Sequence, residues 1–403
     1  MKGWAFVFAL LLVPLAACER RPPPPAEPRL VLAPASFAEL PGWQDDDPRP
    51  ALRAFSRSCQ VWMARPPDAP LAQDRRFGVI ADWLPACAAA AGATSAPGAA
   101  RRFLEEHFVV FGLRNHEDPG AFLTGYYEPL LAGARRPDDR FRYPLYRLPE
   151  DLVTVELGLF DPELDGRRLV GRLDGQRLVP YPERAEIDHG ALAGRGLELL
   201  WVDDPIGLFF LQIQGSGRIR LADGRTIRVG YAGQNGHPYR AIGRDLVEMG
   251  ALAPEQLSLF SIRAWLRDHP GEARRVMARN RSYVFFRELG QARDDEGPPG
   301  SMGVALEPGR SLAVDRRYLP LGVPLWLATT LPYPDGERPF ARLVVAQDTG
   351  GAIRGPLRAD LFLGAGPEAE WIAGHLKHPG RLWLLLPRGL APVFAARSRT
   401  PLG

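Results

Sequence analysis

The chain has 403 residues, 46% of them hydrophobic and 24% charged, which is enough for two folded domains with sizeable cores. Its net charge is only +3, and no block of Lys or Arg marks a surface that could follow nucleic-acid phosphates, so the sequence predicts no nucleic-acid partner. The 41 prolines favour loops and extended segments over long helices.

The first residues have the pattern of a secretory signal. Lys2 precedes an apolar run over residues 4–12, which is too short to span a bilayer, and small residues follow this run. We therefore predict a signal peptide over residues 1–17.

The four residues at 15–18, Leu-Ala-Ala-Cys, resemble the lipobox of bacterial lipoproteins, which implies that Cys18 becomes the acylated first residue. Several acyl chains hold a protein firmly at a membrane. The next residue is Glu19, not the Asp that favours the inner membrane in such proteins, so the resemblance implies a lipid anchor in the outer membrane, with the protein facing the periplasm. Arg and Pro residues then predict an extended tether over residues 18–45. The alternative is an ordinary signal peptide in which the Cys is incidental.

Residues 48–108 show the spacing of three short amphipathic helices, and two of these helices carry the remaining cysteines. Cys59 and Cys87 each recur with apolar residues at helical spacing, so both sulfurs lie on apolar helix faces that can pack together. In an oxidising periplasm they can form a disulfide, which would add about 3.5 kcal/mol by closing the loop between them. Two buried free thiols are the alternative.

From residue 122 the pattern changes to strands, loops and many Pro and Gly residues. The clearest hairpin is predicted over residues 210–231, where Asp223 and Gly224 form a two-residue turn between alternating apolar residues. Helical patterns follow over residues 239–277. Near the end of the chain we predict strands at 311–314, 324–329, 343–347 and 382–386, and a helix at 367–375.

Several common kinds of site find no support. His375 and His378 have no third ligand at metal-binding spacing, and there is no Gly-rich phosphate loop. The segment Gln-Gly-Ser-Gly at 214–217 invites a nucleophilic interpretation of Ser216, but it precedes a hairpin strand and not a helix. The sequence therefore predicts neither a metal nor a cofactor.

Three aspartates in the last third of the chain are better candidates for chemistry. Asp348 follows an apolar strand, and Asp360 opens the apolar segment 360–364. Burial raises the pKa of a carboxyl group, and a second carboxylate nearby raises it further, which is what a general acid near neutral pH needs. Asp315 precedes a basic pair and a turn, so acceptance of backbone hydrogen bonds is its better interpretation.

Several segments together resemble the membrane-bound lytic murein transglycosylase A family, including its C-terminal three-aspartate domain. The resemblance covers about residues 120–390, and the segments occur in the family's order. Besides the three aspartates, the matching segments are Leu-Thr-Gly-Tyr-Tyr-Glu-Pro at 123–129, Gln-Gly-Ser-Gly at 214–217, Tyr-Ala-Gly-Gln-Asn-Gly-His-Pro-Tyr at 231–239 and Asn-Arg-Ser-Tyr-Val-Phe-Phe at 280–286. Arg281 departs from the Pro that we expect in this family.

The resemblance implies a mainly β fold with flanking helices, in which a double-psi β-barrel carries an inserted β-rich domain and a substrate groove lies between them. The predicted divisions after the tether are an N-terminal helical part of the barrel domain (46–129), the inserted domain (130–285), the C-terminal part of the barrel (286–391) and a tail (392–403).

The resemblance also implies a function. Asp360 would be the single acid and base that cleaves the bond between MurNAc and GlcNAc in peptidoglycan without consuming water, and Asp348 would be a supporting carboxylate. The expected partners are glycan strands and, through the anchor, a membrane, and the protein is expected to be a monomer. The predicted groove residues are Tyr126, Tyr127, Gln214, Ser216, Asn235 and Gly350.

Two other functions compete with this interpretation. The segment Asp348-Thr349-Gly350 matches the signature of aspartic proteases, but those enzymes need two such aspartates and no second copy occurs, so only a symmetric dimer would serve. A lipoprotein that binds the cell wall without cutting it is the other alternative.

Overall fold

The computed structural model describes residues 27–94, 96–291 and 297–390. The predicted signal peptide, Cys18 and the predicted tail at 392–403 lie outside these residues. Within the described part, no helix is both long and apolar enough to cross a membrane.

The fold is mainly β, with nine α-helices in the described part. The strands are β1 (Leu30–Ala35), β2 (Phe108–Asn115), β3 (Ala121–Glu128), β4 (Leu130–Ala134), β5 (Tyr143–Tyr146), β6 (Val153–Glu156), β7 (Arg168–Asp174), β8 (Arg177–Pro180), β9 (Glu198–Val202), β10 (Ser216–Arg220), β11 (Thr226–Gln234), β12 (Val284–Gln291), β13 (Ser311–Val314), β14 (Pro324–Tyr333), β15 (Gly336–Asp348), β16 (Arg358–Ala365) and β17 (Lys377–Pro387). The helices are α1 (Arg49–Met63), α2 (Ile80–Ala90), α3 (Pro97–His107), α4 (Arg184–Asp188), α5 (Pro205–Gln214), α6 (Ile242–Glu248), α7 (Leu259–Asp268), α8 (Pro270–Ala278) and α9 (Pro367–His375).

Six strands form a closed barrel in the order β3, β17, β14, β15, β13 and β16, with β16 pairing back onto β3. Two of its pairings are parallel, β16 with β3 and β13 with β15. Closure leaves no unpaired edge among these six strands. The predicted fold class, a barrel combined with a second β-rich part, is confirmed.

Helices α1 to α3 cover the barrel, as the pattern over residues 48–108 predicted. Their apolar faces bury Trp62 and Trp83 in the same core as Trp326 of β14. Cys59 and Cys87 form a disulfide between α1 and α2, with Cα atoms 5.5 Å apart.

The tether predicted over residues 18–45 is wrong from residue 30 onward. Strand β1 pairs antiparallel with β2 along its whole length and so extends the barrel sheet. Directly after the predicted tether, the buried carboxylate of Asp46 accepts two hydrogen bonds, of 2.7 and 2.8 Å, from the guanidinium of Arg310. Composition misled the prediction because a proline-rich segment can still form an edge strand.

A second sheet has the order β12, β11, β10, β4, β9 and β5, and a smaller sheet contains β6, β7 and β8. The chain enters the second sheet at Pro129, directly after β3. The predicted hairpin is confirmed for β10 and β11, where Ile219 pairs with Ile227. Its predicted start is wrong, because residues 210–214 belong to α5. That helix is buried on nearly all sides, so its apolar run has no period to distinguish it from a buried strand.

Candidate functional site

The strand register brings two of the three aspartates together. Ala313 at the centre of β13 pairs on one side with Asp348 of β15 and on the other side with Asp360 of β16. Asp360 pairs in turn with Thr124 of β3. Side chains in lateral register point to the same face of a sheet. Both carboxyl groups therefore lie on one face, with Ala313 on the strand between them.

Asp360 is partly exposed, although protein surrounds its carboxyl group on most sides. The hydroxyl of Thr124 donates a 2.7 Å hydrogen bond to its Oδ1. Arg358 donates a 2.7 Å hydrogen bond to the same hydroxyl, which directs the Thr124 proton toward the carboxyl group.

Burial raises the pKa of Asp360 to about 6. The hydrogen bond from Thr124 and the charge of Arg358 act in the opposite direction, and the charge of Asp348 adds to the rise. A carboxyl group with this pKa is still protonated in about one molecule in ten at pH 7, so it can act as a general acid and, after giving up its proton, as a base.

Asp348 accepts four hydrogen bonds, which fix its orientation. Three of them converge on Oδ1: the backbone N–H and the hydroxyl of Ser301 at 2.8 and 2.7 Å, and the N–H of Thr349 at 2.8 Å. The hydroxyl of Tyr126 donates to Oδ2 at 2.9 Å, and the Tyr126 ring packs with Ala313. No hydrogen bond joins the carboxyl groups of Asp348 and Asp360 in the described part of the chain, unlike the proton-sharing pair of an aspartic protease.

Asp315 has a structural role, as its sequence context predicted. It is buried at a turn, forms an ion pair with Arg317 and accepts a 2.8 Å hydrogen bond from the N–H of Gly355. Burial alone would raise the pKa of this carboxyl group, but the hydrogen bonds from Arg317 and Gly355 outweigh it and hold the pKa below its usual value.

The six predicted groove residues differ in their exposure. Tyr126 lies beside the aspartates, although its ring is buried, and Gly350 is partly exposed in the loop after Asp348. Gln214 is partly exposed at the end of α5, and its Oε1 accepts a 3.1 Å hydrogen bond from the N–H of Tyr127. Ser216 is buried at the start of β10.

The assignments of Tyr127 and Asn235 to the groove are corrected by their burial. Tyr127 is 2% exposed, and its hydroxyl donates a 2.8 Å hydrogen bond to Glu370 of α9. Asn235 is 1% exposed and its amide is bonded entirely to backbone groups of neighbouring loops. Side chains that can hydrogen-bond a sugar can equally bond a backbone, and the sequence alone does not distinguish the two.

One residue outside the predicted set faces Asp360 from the second sheet. Tyr239 is 38% exposed, and its Cβ would lie 3.9 Å from a Cβ placed on Gly351, in the loop after Asp348. Burial raises the pKa of Tyr239, and the charge of Asp360 adds to the rise. Its place at the end of the family segment 231–239 is a signal for Tyr239, but nothing in that segment indicates which way the ring points. Thr124 and Ser301 were missed as well, since their partners come from distant parts of the chain.

The side chains that can take part in chemistry at this site therefore carry carboxyl and hydroxyl groups. Among residues 27–94, 96–291 and 297–390, no group of three or more His, Cys, Asp or Glu is arranged to hold a metal ion. The arrangement provides one partly exposed carboxyl group that can give and take a proton, and a second carboxylate that raises its pKa.

Two family models match the chain: the MltA specific insert domain over residues 122–287 and the 3D domain over residues 310–386. Membrane-bound lytic murein transglycosylase A of Vibrio cholerae is 36% identical over 267 residues, which are 65% of this chain and 64% of that protein. The match thus spans just under two thirds of the length of this curated relative.

Two solved structures extend the likeness to the whole fold. The membrane-bound lytic murein transglycosylase from Agrobacterium tumefaciens is 37% identical, with a TM-score of 0.79, and the match covers 90% of this chain and 99% of that chain. The structure of Escherichia coli MltA with bound chitohexaose is 26% identical, with a TM-score of 0.61, and the match covers 89% and 91% of the two chains.

Proposed function

This chain belongs to the membrane-bound lytic murein transglycosylase A family, and we propose that it cleaves the β-1,4 bond between MurNAc and GlcNAc in peptidoglycan without consuming water. The observation that carries the proposal is the carboxyl group of Asp360, which is partly exposed on the barrel and has its pKa raised to about 6. The chitohexaose bound to the Escherichia coli relative supports a β-1,4-linked glycan as the ligand beside this carboxyl group.

The reaction needs only one proton-transferring group because the substrate carries its own nucleophile. Protonated Asp360 gives its proton to the oxygen that links MurNAc to GlcNAc, and the bond from this oxygen to C1 breaks. The carboxylate then takes the proton of the C6 hydroxyl of the same MurNAc, whose oxygen bonds to C1. The products are a 1,6-anhydromuramoyl end and a free GlcNAc hydroxyl, and Asp360 regains its proton.

Orientation accounts for the preference for the internal hydroxyl over water. A well-oriented intramolecular nucleophile has an effective molarity of roughly 10⁵ M or more, whereas water is present at ~55 M. Thr124 and Asp348 contribute by fixing the direction and the pKa of the Asp360 carboxyl group. A hydrolytic glycosidase instead places a second carboxyl group to activate water or to attack the sugar.

We also propose that a lipid on Cys18 holds the protein at the outer membrane, facing the periplasm. The support is the Leu-Ala-Ala-Cys segment at 15–18 together with the relatives that are named membrane-bound. Residues 19–29 would then connect the lipid to strand β1.

Digestion of purified peptidoglycan sacculi tests the activity. The released fragments are separated and weighed, because an anhydro end is lighter than a hydrolysed end by one water. We expect fragments with anhydro ends. Fragments with hydrolysed sugar ends would identify a hydrolase, peptide scission would identify a protease, and intact sacculi that retain the protein would identify a wall-binding protein; each of these results contradicts the proposal.

A further inference from the structure

The loop that follows β11 is anchored so firmly that it can hold a side chain in a fixed place. Asn235 is the main anchor. Its Nδ2 donates hydrogen bonds to the carbonyls of Pro182 and Arg281 at 2.9 and 3.0 Å, and its Oδ1 accepts one from the N–H of Tyr283 at 2.9 Å. One buried amide thus ties the loop to two other segments of the second sheet region.

Three further contacts fix the rest of this loop. His237 is hydrogen-bonded through Nε2 to the carbonyl of Tyr181 at 2.7 Å, and the N–H of Arg240 donates to the side chain of Asn280 at 3.1 Å. Gly236 has a φ of +83°, and a Cβ at this position would lie 2.7 Å from the Cβ of Val170 in β7. The backbone on both sides of Tyr239 is therefore held in place, in a conformation that requires glycine at 236.

Tyr239 is the side chain that this loop presents to the barrel. Its Cβ would lie 3.9 Å from a Cβ placed on Gly351, three residues after Asp348, so the loop touches the barrel beside the two carboxyl groups. Tyr239 keeps 38% of its surface exposed, and the charge of Asp360 adds to the rise in its pKa. Tyr239 therefore forms a wall beside Asp360.

Resting on the proposed function, we propose that Tyr239 is a substrate-contacting residue that excludes water from C1 of the cleaved MurNAc and so commits the sugar to its own C6 hydroxyl. Asn235 and His237 are then positioning residues that hold this ring in place. The segment 231–239 therefore acts through Tyr239, and Asn235 does not bind the sugar directly.

C1 of the cleaved MurNAc can react in two ways, and the ratio of the two products distinguishes exclusion of water from simple binding of the sugar. When the C6 oxygen bonds to C1, its proton goes to Asp360 and the product is an anhydro end. When a water oxygen bonds to C1 instead, one water proton goes to Asp360 and the product is an ordinary reducing end. The first reaction requires that the sugar ring is held in place, and the second requires access of water to C1. Removal of the Tyr239 ring therefore favours the second reaction.

The experiment compares Tyr239→Ala, which removes the wall, with Tyr239→Phe, which keeps the ring and loses the hydroxyl. Tyr333→Ala is the matched control, since Tyr333 is a partly exposed tyrosine at the end of β14, on the hairpin with β15. Sacculi are digested to equal conversion, so that a slower variant is incubated for longer. Borohydride then reduces the reducing ends but not the anhydro ends, and mass spectrometry counts both.

We expect Tyr239→Phe and Tyr333→Ala to give the wild-type ratio of reducing to anhydro ends. Tyr239→Ala should raise the fraction of reducing ends by about tenfold or more, because loss of the ring lowers the effective molarity of the C6 hydroxyl. An unchanged ratio in Tyr239→Ala would overturn the inference and leave the proposed function intact. Absence of anhydro ends from the wild-type digest would instead overturn the proposed function itself.

Discussion

Replacing Asp348 by Asn should move the pH dependence of the reaction to lower pH. Asp348 and Asp360 lie on strands that flank β13, roughly 10 Å apart by two strand spacings. At about that distance two unit charges in an effective dielectric constant of ~20 repel by about 1.7 kcal/mol. This repulsion is equivalent to a little over one unit in the pKa of Asp360.

The direction of this shift in the pH dependence follows from the protonation state in which Asp360 starts the reaction. Only the protonated carboxyl group can donate, so the rate should fall as the pH rises through the pKa of about 6. Without the charge of Asp348 this fall should occur about one pH unit lower. At pH 7 the rate should therefore drop by about tenfold, because the protonated fraction falls from roughly one in ten to one in a hundred, whereas at pH 4 it should hardly change.

The assay is the initial rate of fragment release from sacculi between pH 4 and pH 8. The Asn side chain has nearly the same shape, and its amide oxygen can still accept the hydrogen bonds of Ser301 and Thr349. Asp335→Asn, on the exposed β14–β15 hairpin, is the control for removal of one negative charge. A midpoint that stays in place or moves upward in Asp348→Asn would refute the electrostatic coupling between the two carboxyl groups.

Three other variants test separate parts of the structure. Thr124→Val removes a hydrogen bond that lowers the pKa of Asp360, so the fall in rate should move to higher pH in a pH–rate profile, and a shift to lower pH would be inconsistent with the geometry. Replacing both Cys59 and Cys87 by Ser should lower the free energy of unfolding by about 3.5 kcal/mol in denaturant titrations, with the site on the barrel still active at 25 °C. Asp360→Asn should stabilise the fold above pH 6 by up to about 3 kcal/mol, because a carboxyl group whose pKa rises from 3.8 to about 6 on folding loses stability as the pH rises through that interval; equal gains at pH 3 and pH 8 in urea unfolding would contradict this.

The sequence predicted the parts of the fold whose patterns are local. The helices at 48–108 and 367–375 and the strands at 311–314, 324–329, 343–347 and 382–386 have clear periods or strong apolar runs, and all of them occur in the structure. The wrong assignments arose where burial on all sides hides the period, as in α5, or where a proline-rich segment adds a strand to a sheet that forms elsewhere, as in β1.

The candidate site divides in the same way. Asp360 and Asp348 could be selected from the sequence because an aspartate within an apolar segment is unusual, and the family resemblance distinguished Asp360 from the others. Their relation through Ala313 depends on strand order, which no local pattern specifies. Tyr127 and Asn235 were assigned to the groove but are buried, because each bonds to a partner from a distant part of the chain. Tyr239 was missed because its place depends on how its loop meets the barrel at Gly351.

The most direct test of the account concerns the single proton held by Asp360. Sacculi are incubated with wild-type protein, Asp360→Asn and the control Asp335→Asn, and both bound protein and released fragments are measured. We expect Asp360→Asn to bind sacculi as the wild type does and to release no fragments with anhydro ends, while the control releases them normally. Near-normal release by Asp360→Asn would contradict the account.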